Sequence, residues 1–349
     1  MAASPVDWGL AERVAVRVAG REPLAASYHY DRLAADFDEL TAQAEVLVER
    51  ATGLRSAVGP ARARVVDRAD WVRANLASFG RLLRPLTDKM SERLDERRGP
   101  LALVGGVSRR AAGAEVGALL GWMATRVLGQ YDLLIIEDED PEDQDLVYYV
   151  GPNVLSLEKR FGFPPREFRL WLALHEVTHR AQFTGVTWLR PHFLSLVNQT
   201  LEVVDPDPKR FLDALARIVD DLRSGQNPLD EGGLATLLAS PDQRDLFGRI
   251  GGMMSLLEGH GDVTMDRAGE GHVPSAERFA RALRERRKQG GSVAKVVQKA
   301  MGIDAKMKQY AQGEAFIGYV ERHGGSGALD AAWRGPQWLP TLAEIRAPQ

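Results

Sequence analysis

The stretch WLALHEVTHRAQF, residues 171–183, sets His175 and His179 four apart, with Glu176 directly after the first. On a helix, positions i and i+4 share one face a turn apart, so both imidazoles can reach one tetrahedral ion. Glu176 flanks the pair, where a carboxylate can serve as general base without being a ligand. Leu172, Ala173, Leu174 and Val177 make this turn apolar, so the helix is expected to be buried. Buried imidazoles and a carboxylate need partners, and a divalent cation supplies them. The chain holds 7 histidines in 349 residues, and composition alone produces this spacing in roughly one chain of that length in a hundred. Chance matches fall mostly in loops or on exposed faces, whereas this one sits in an apolar helix. The alternative is a structural histidine pair.

A zinc enzyme keeps three protein ligands and one open position. The chain has no cysteine, so the third must be His, Asp or Glu. A metzincin continuation would put histidine at 185, where the chain has Gly185. The remaining candidate is SLLEGHGDVTMD, residues 255–266, where Glu258 and Asp262 are four apart and share a helix face. His260 competes as third ligand, but it points to another side of a regular helix, so one ion does not take both. Asp262 and Asp266 also read as ordinary helix-end acids. Gly259 and Gly261 weaken a helix here, so the geometry is expected to be locally irregular.

These groups need elements to hold them. Apolar residues at three and four spacing predict helices through residues 7–100 and a helix over about 166–183, started by the proline pair at 164–165. Gly113, Gly117 and Gly121 recur every four residues, giving a helix there a smooth ridge for close packing. YDLLIIED and DLVYYVG predict a β-hairpin around EDEDPEDQD, where seven of nine residues are acidic, a solvated loop. Residues about 192–250 read as a helical insertion, and 275–300 as a basic helix, a glycine pair and a short helix. The fold class expected is mainly α with a small β-hairpin or sheet. The chain is expected to divide into an N-terminal helical region, 1–130, and a catalytic region, 131–349, packed as one compact unit.

A formal net charge of −3 and the lack of a basic-aromatic patch argue against a nucleic-acid partner. Residues 111–129 carry Glu115 and Arg126 and are too short and polar to span a bilayer. The first residues lack the basic and apolar regions of a secretory signal. No membrane partner and a cytoplasmic location are expected, and oligomeric state is left open.

The runs LALHEVTHRAQF and WLR, the later LLEGHGDVTMD and the ending WRGPQWLPTLAEI resemble the zincin-like metallopeptidase type 2 family. Its members occur mainly in actinobacteria and are often described as hydrolases or deazaflavin-coenzyme biosynthesis-associated proteins. The resemblance extends to DWGLAERVA and YYVGPN, nearly the whole chain, and implies a zincin-like fold with a helical insertion. It also implies a gluzincin-like site: Zn2+ on His175, His179 and Glu258, with Asp262 hydrogen-bonding a ligating imidazole. The spacing departs from familiar gluzincins, because 78 residues separate His179 from Glu258.

The function expected is zinc-dependent hydrolysis of a peptide or small amide, with Glu176 taking the proton of an activated water. His260, Tyr310, Tyr319 and His323 are candidates to stabilise the oxyanion. An edge strand at about 146–151 is expected to pair with an extended substrate. The alternative is a non-catalytic binding or scaffold protein that retains the fold and a structural zinc.

Overall fold

Asp7 opens the first helix, Trp8–Ala19 (α1), by accepting the Leu10 N–H at 2.9 Å and so satisfying a donor the helix cannot. The structure, a computed structural model, describes residues 4–22, 24, 27–84, 87–88, 102–133, 145–203, 241–288, 303–325 and 327–348. After α1 come α2 (Tyr28–Asp31), α3 (Leu33–Thr52), β1 (Arg62–Val66), α4 (Arg68–Leu82) and α5 (Ala102–Ala124). Strands β2 (Gly129–Tyr131) and β3 (Leu146–Val150) lead into α6 (Gly151–Phe161) and the motif helix α7 (Pro165–Gly185). Helices α8 (Leu189–Val203), α9 (Pro241–Gly269), α10 (Ala276–Lys288), α11 (Ile303–Gly324) and α12 (Leu342–Arg346) follow, with short 3-10 turns at Ala328–Arg334 and Pro336–Trp338 before α12. The protein is mainly α with a small sheet, and among the described residues no helix is long and apolar enough to cross a membrane.

The sheet has the order β1-β3-β2. β3 pairs antiparallel with β2, Gln130 opposite Tyr148, and parallel with β1, Val66 opposite Val150. Two expectations change here. RARVV, inside the stretch read as helices broken only by turns, is a strand. Residues 146–150, expected at the edge, form the central strand and are paired on both sides, so they have no open side for a substrate. All five are buried, which fits a strand covered on both faces. The acidic stretch between β2 and β3, apart from Asp145, lies outside the described residues, as do 204–240 of the expected insertion and the glycine pair at 290–291.

The chain divides into two compact units, one of Met1–Gly185 with Thr264–Phe279, the other of Val186–Val263 with Ala280–Gln349. In the first, the glycine ridge of α5 lies against α1 as expected: a Cβ at Gly117 or Gly121 would collide with the carbonyl of Ala11 or Ala15. Helix α7 packs on α3, β2 and β3. Its start is gripped by an aromatic cluster in which Phe279 meets Phe163, Phe168 and Trp171 edge-on, at 4.7, 5.2 and 5.9 Å between centroids. Arg169, 5% exposed, forks onto both Glu158 oxygens at 2.8 Å and also binds Asp36, tying α7 to α6 and α3.

Farther along α7, Arg180 is 1% exposed and donates to Asp145 at 2.6 Å, Glu45 at 2.7 Å and the Gly59 carbonyl at 2.8 Å. Asp145 holds a left-handed φ of 55°, which aspartate tolerates better than most residues, and also accepts the Tyr131 hydroxyl at 3.2 Å. One guanidinium thus joins the motif helix, the entry to β3 and helix α3. Arg180→Met keeps the length and removes the charge, leaving two partly buried carboxylates without their cation. It is expected to cost about 3–5 kcal/mol, read as a fall in the urea midpoint. A loss below about 1 kcal/mol would mean that the network behaves as a surface pair.

The second unit is organised around Leu256, Ile317, Leu329, Ala332 and Ile345. Here α9 meets α11 at backbone distance: a Cβ at Gly313 would collide with the Ser255 carbonyl, and one at Gly259 with Gly313. Gly259 was expected to loosen α9. The helix instead runs unbroken from Pro241 to Gly269, and the missing side chain is what lets the two helices touch.

Candidate metal centre

On α7 the two imidazoles stand as the spacing predicts. His175 Nε2 and His179 Nε2 are 3.2 Å apart, with the rings edge-on at 87°. Two nitrogens bound tetrahedrally at about 2.0–2.1 Å from zinc would lie about 3.3 Å apart, so the pair fits that ion. His179 Nδ1–H donates to Gln182 Oε1 at 3.0 Å. That bond fixes the tautomer that turns the Nε2 lone pair toward His175, the arrangement metal-bound histidines use. Gln182 is fully buried. It escaped the sequence reading, although it lies three residues after His179 and therefore on the same helix face.

Glu258 lies on α9. His175, His179 and Glu258 each offer a ligand atom within 4.8 Å of the others, and all three are half-buried. No other set of three such residues does so among the described residues. The C-terminal turn of the same helix packs on the motif helix, where a Cβ at Gly269 would be 3.4 Å from Leu174 Cδ1. Asp262 stands one turn beyond Glu258 and is half-buried. His260 is buried, 6% exposed, and meets the Trp333 ring at 5.0 Å and 70°.

Glu176 is 8% exposed, and its Oε2 accepts the Tyr131 N–H at 3.0 Å. Its charge is felt in the core: burial, and then Glu176, push the Tyr149 hydroxyl well above the usual tyrosine range, while the Thr41 hydrogen bond pulls the other way. Tyr149 is fully buried, stacked on Phe37 at 3.8 Å between centroids and bonded to Thr41 at 2.8 Å.

Tyr319 and His323 stack on each other at 4.0 Å, and His323 Nδ1–H donates to the Tyr319 carbonyl at 2.9 Å, a bond that serves the end of α11. Tyr319 lines a cavity of about 710 Å³ with Phe316, Leu329 and Trp338, and none of the three candidate ligands borders it. Tyr310 lies on α11, with its side chain outside the described residues.

The helical frame, the paired histidines and the carboxylate from a later helix define a class, and the chain belongs to it: the zincin-like metallopeptidase family, whose model matches residues 6–349. A solved structure from Chloroflexus aurantiacus, provisionally described as a hydrolase with a novel fold, is 29% identical, with a TM-score of 0.71 over 98% of this chain and 96% of that one. Among curated proteins none matches. The family implies a metal ion, usually zinc, and the donor set of two imidazoles and a carboxylate suits that ion.

Proposed function

We propose that this protein is a zinc-dependent hydrolase of amide bonds acting on peptides or small amides. The observation that carries this is the convergence of His175, His179 and Glu258 within 4.8 Å, with Glu176 next to the first ligand in sequence. His175, His179 and Glu258 would hold the ion, and Asp262 would steady a ligating group from one turn away. Bound zinc supplies Lewis acidity, which polarises a carbonyl and lowers the pKa of water toward neutrality. Glu176 takes a proton from the attacking water as the new C–O bond forms, then delivers it to the nitrogen as the C–N bond breaks. The Tyr131 N–H donates to that carboxylate at 3.0 Å and so fixes its orientation beside the histidine pair. The hydrolase description of the Chloroflexus aurantiacus protein supports the same reaction class. A cytoplasmic place of action accords with a chain that has no cysteine.

Glu176→Gln tests the reading, because the amide keeps the shape and cannot accept the proton. It is expected to retain about one zinc per chain and to lose about 10²- to 10⁴-fold in turnover. The measurement is cleavage of an unbiased peptide library, with zinc content by elemental analysis. A zinc-loaded wild type that cleaves nothing in that library would sink the hydrolase.

A further inference from the structure

Strand β2 reaches the motif helix through two backbone features. Tyr131 N–H donates to Glu176 Oε2 at 3.0 Å. Two residues earlier, and so on the same face of the strand, Gly129 presents a bare Cα. A Cβ there would lie 2.7 Å from Glu176 Cγ, 2.8 Å from Oε1 and 3.0 Å from Cδ. The three nearest atoms thus all belong to Glu176. The Gly129 backbone is ordinary strand and is not among the positive-φ glycines, so conformation does not demand glycine. Glycine inside a strand weakens it and marks a close approach by another group. Here that group is one carboxylate.

We propose that Gly129 is a positioning residue: its bare Cα and the Tyr131 N–H together seat the Glu176 carboxylate at the flank of the histidine pair. The catalytic importance of the seat rests on the proposed role of Glu176 as general base; the seat itself does not. Exposed flexible side chains swing away from an added methyl at little cost. Glu176 is 8% exposed, and swinging away breaks its bond to Tyr131. A methyl at 129 therefore moves the carboxylate by on the order of 1 Å, a displacement that costs catalysis about 100-fold. The fall belongs in kcat, with KM and zinc content kept, because neither imidazole nor Glu258 is among the nearest contacts of the methyl.

The test is a double-mutant cycle on the full-length, zinc-loaded protein: wild type, Gly129→Ala, Glu176→Ala and the pair. Melting temperature, zinc content and peptide-library cleavage are measured for each. Gly129→Ala is expected to lower the melting temperature in the wild-type background and to lose most of that effect once Glu176 is truncated. Cleavage should fall about 100-fold in kcat for Gly129→Ala. Equal melting losses in both backgrounds would overturn the seat, as would a wild-type kcat in Gly129→Ala. Should Gly129→Ala alone fail to fold, recovery of folding in the pair supports the proposal and continued failure overturns it. Coupling in melting temperature with no cleavage by the wild type would uphold the seat and reject the hydrolase reading.

Discussion

His175→Ala and His179→Ala are each expected to strip the metal from the protein and abolish turnover. The two Nε2 atoms sit 3.2 Å apart, a spacing at which both would bind one zinc ion. Removing either leaves one imidazole and one carboxylate, too few to hold zinc firmly. The loss should appear twice. Elemental analysis should find almost no zinc in either variant. Added zinc should raise the melting temperature of the wild type and barely move the variants, because a ligand that binds only the folded state stabilises it by about 4 kcal/mol at a thousand times its Kd. The second readout separates a vacant site from a misfolded chain. Unchanged stoichiometry in either variant would reject the site.

Much of this centre was legible because its signals are local. A proline pair, apolar residues at helical spacing and two histidines one turn apart are all properties of about twenty consecutive residues, and α7 formed where they predicted. The misses are non-local. β1 is five residues, two of them arginine, between helices. Its partner β3 begins 84 residues after it, and a parallel pairing leaves no turn signature in the sequence. The central position of β3 was written in LVYYV, an unbroken apolar run of the kind that marks a strand covered on both faces, but the hairpin pattern drew more weight.

Gly259 shows the same divide between local and distant causes. Propensity speaks only of a weakened helix, while the reason for the glycine is Gly313, on another helix far along the chain. Gln182 was within reach of simple helical spacing. The Tyr131 N–H was not, since a backbone donor carries no side chain by which to recognise it. The residues alone left His260 open as third ligand, and the resemblance is what implied that role for Glu258.

Glu258→Ala should remove most of the bound zinc, and the contrast with its neighbours makes the prediction sharp. Glu258 offers an oxygen within 4.8 Å of both imidazole ligand atoms. Its helix passes close enough to α11 for Gly259 and Gly313 to touch, so the carboxylate is carried on a fixed backbone. His260, two residues on, is directed to another side of the helix and rests edge-on against Trp333. His260→Ala should therefore keep near-wild-type zinc, with a loss of packing as its main effect. Asp262→Ala should weaken zinc affinity about 10- to 100-fold, the usual consequence of removing a group that steadies a ligand. Titration of each apoprotein with zinc against a competing chelator ranks the three. Zinc retained by Glu258→Ala and lost from His260→Ala would make the imidazole the third ligand. The motif helix would then still bind zinc, but the gluzincin-like pattern of Glu258 and Asp262 would no longer describe the site.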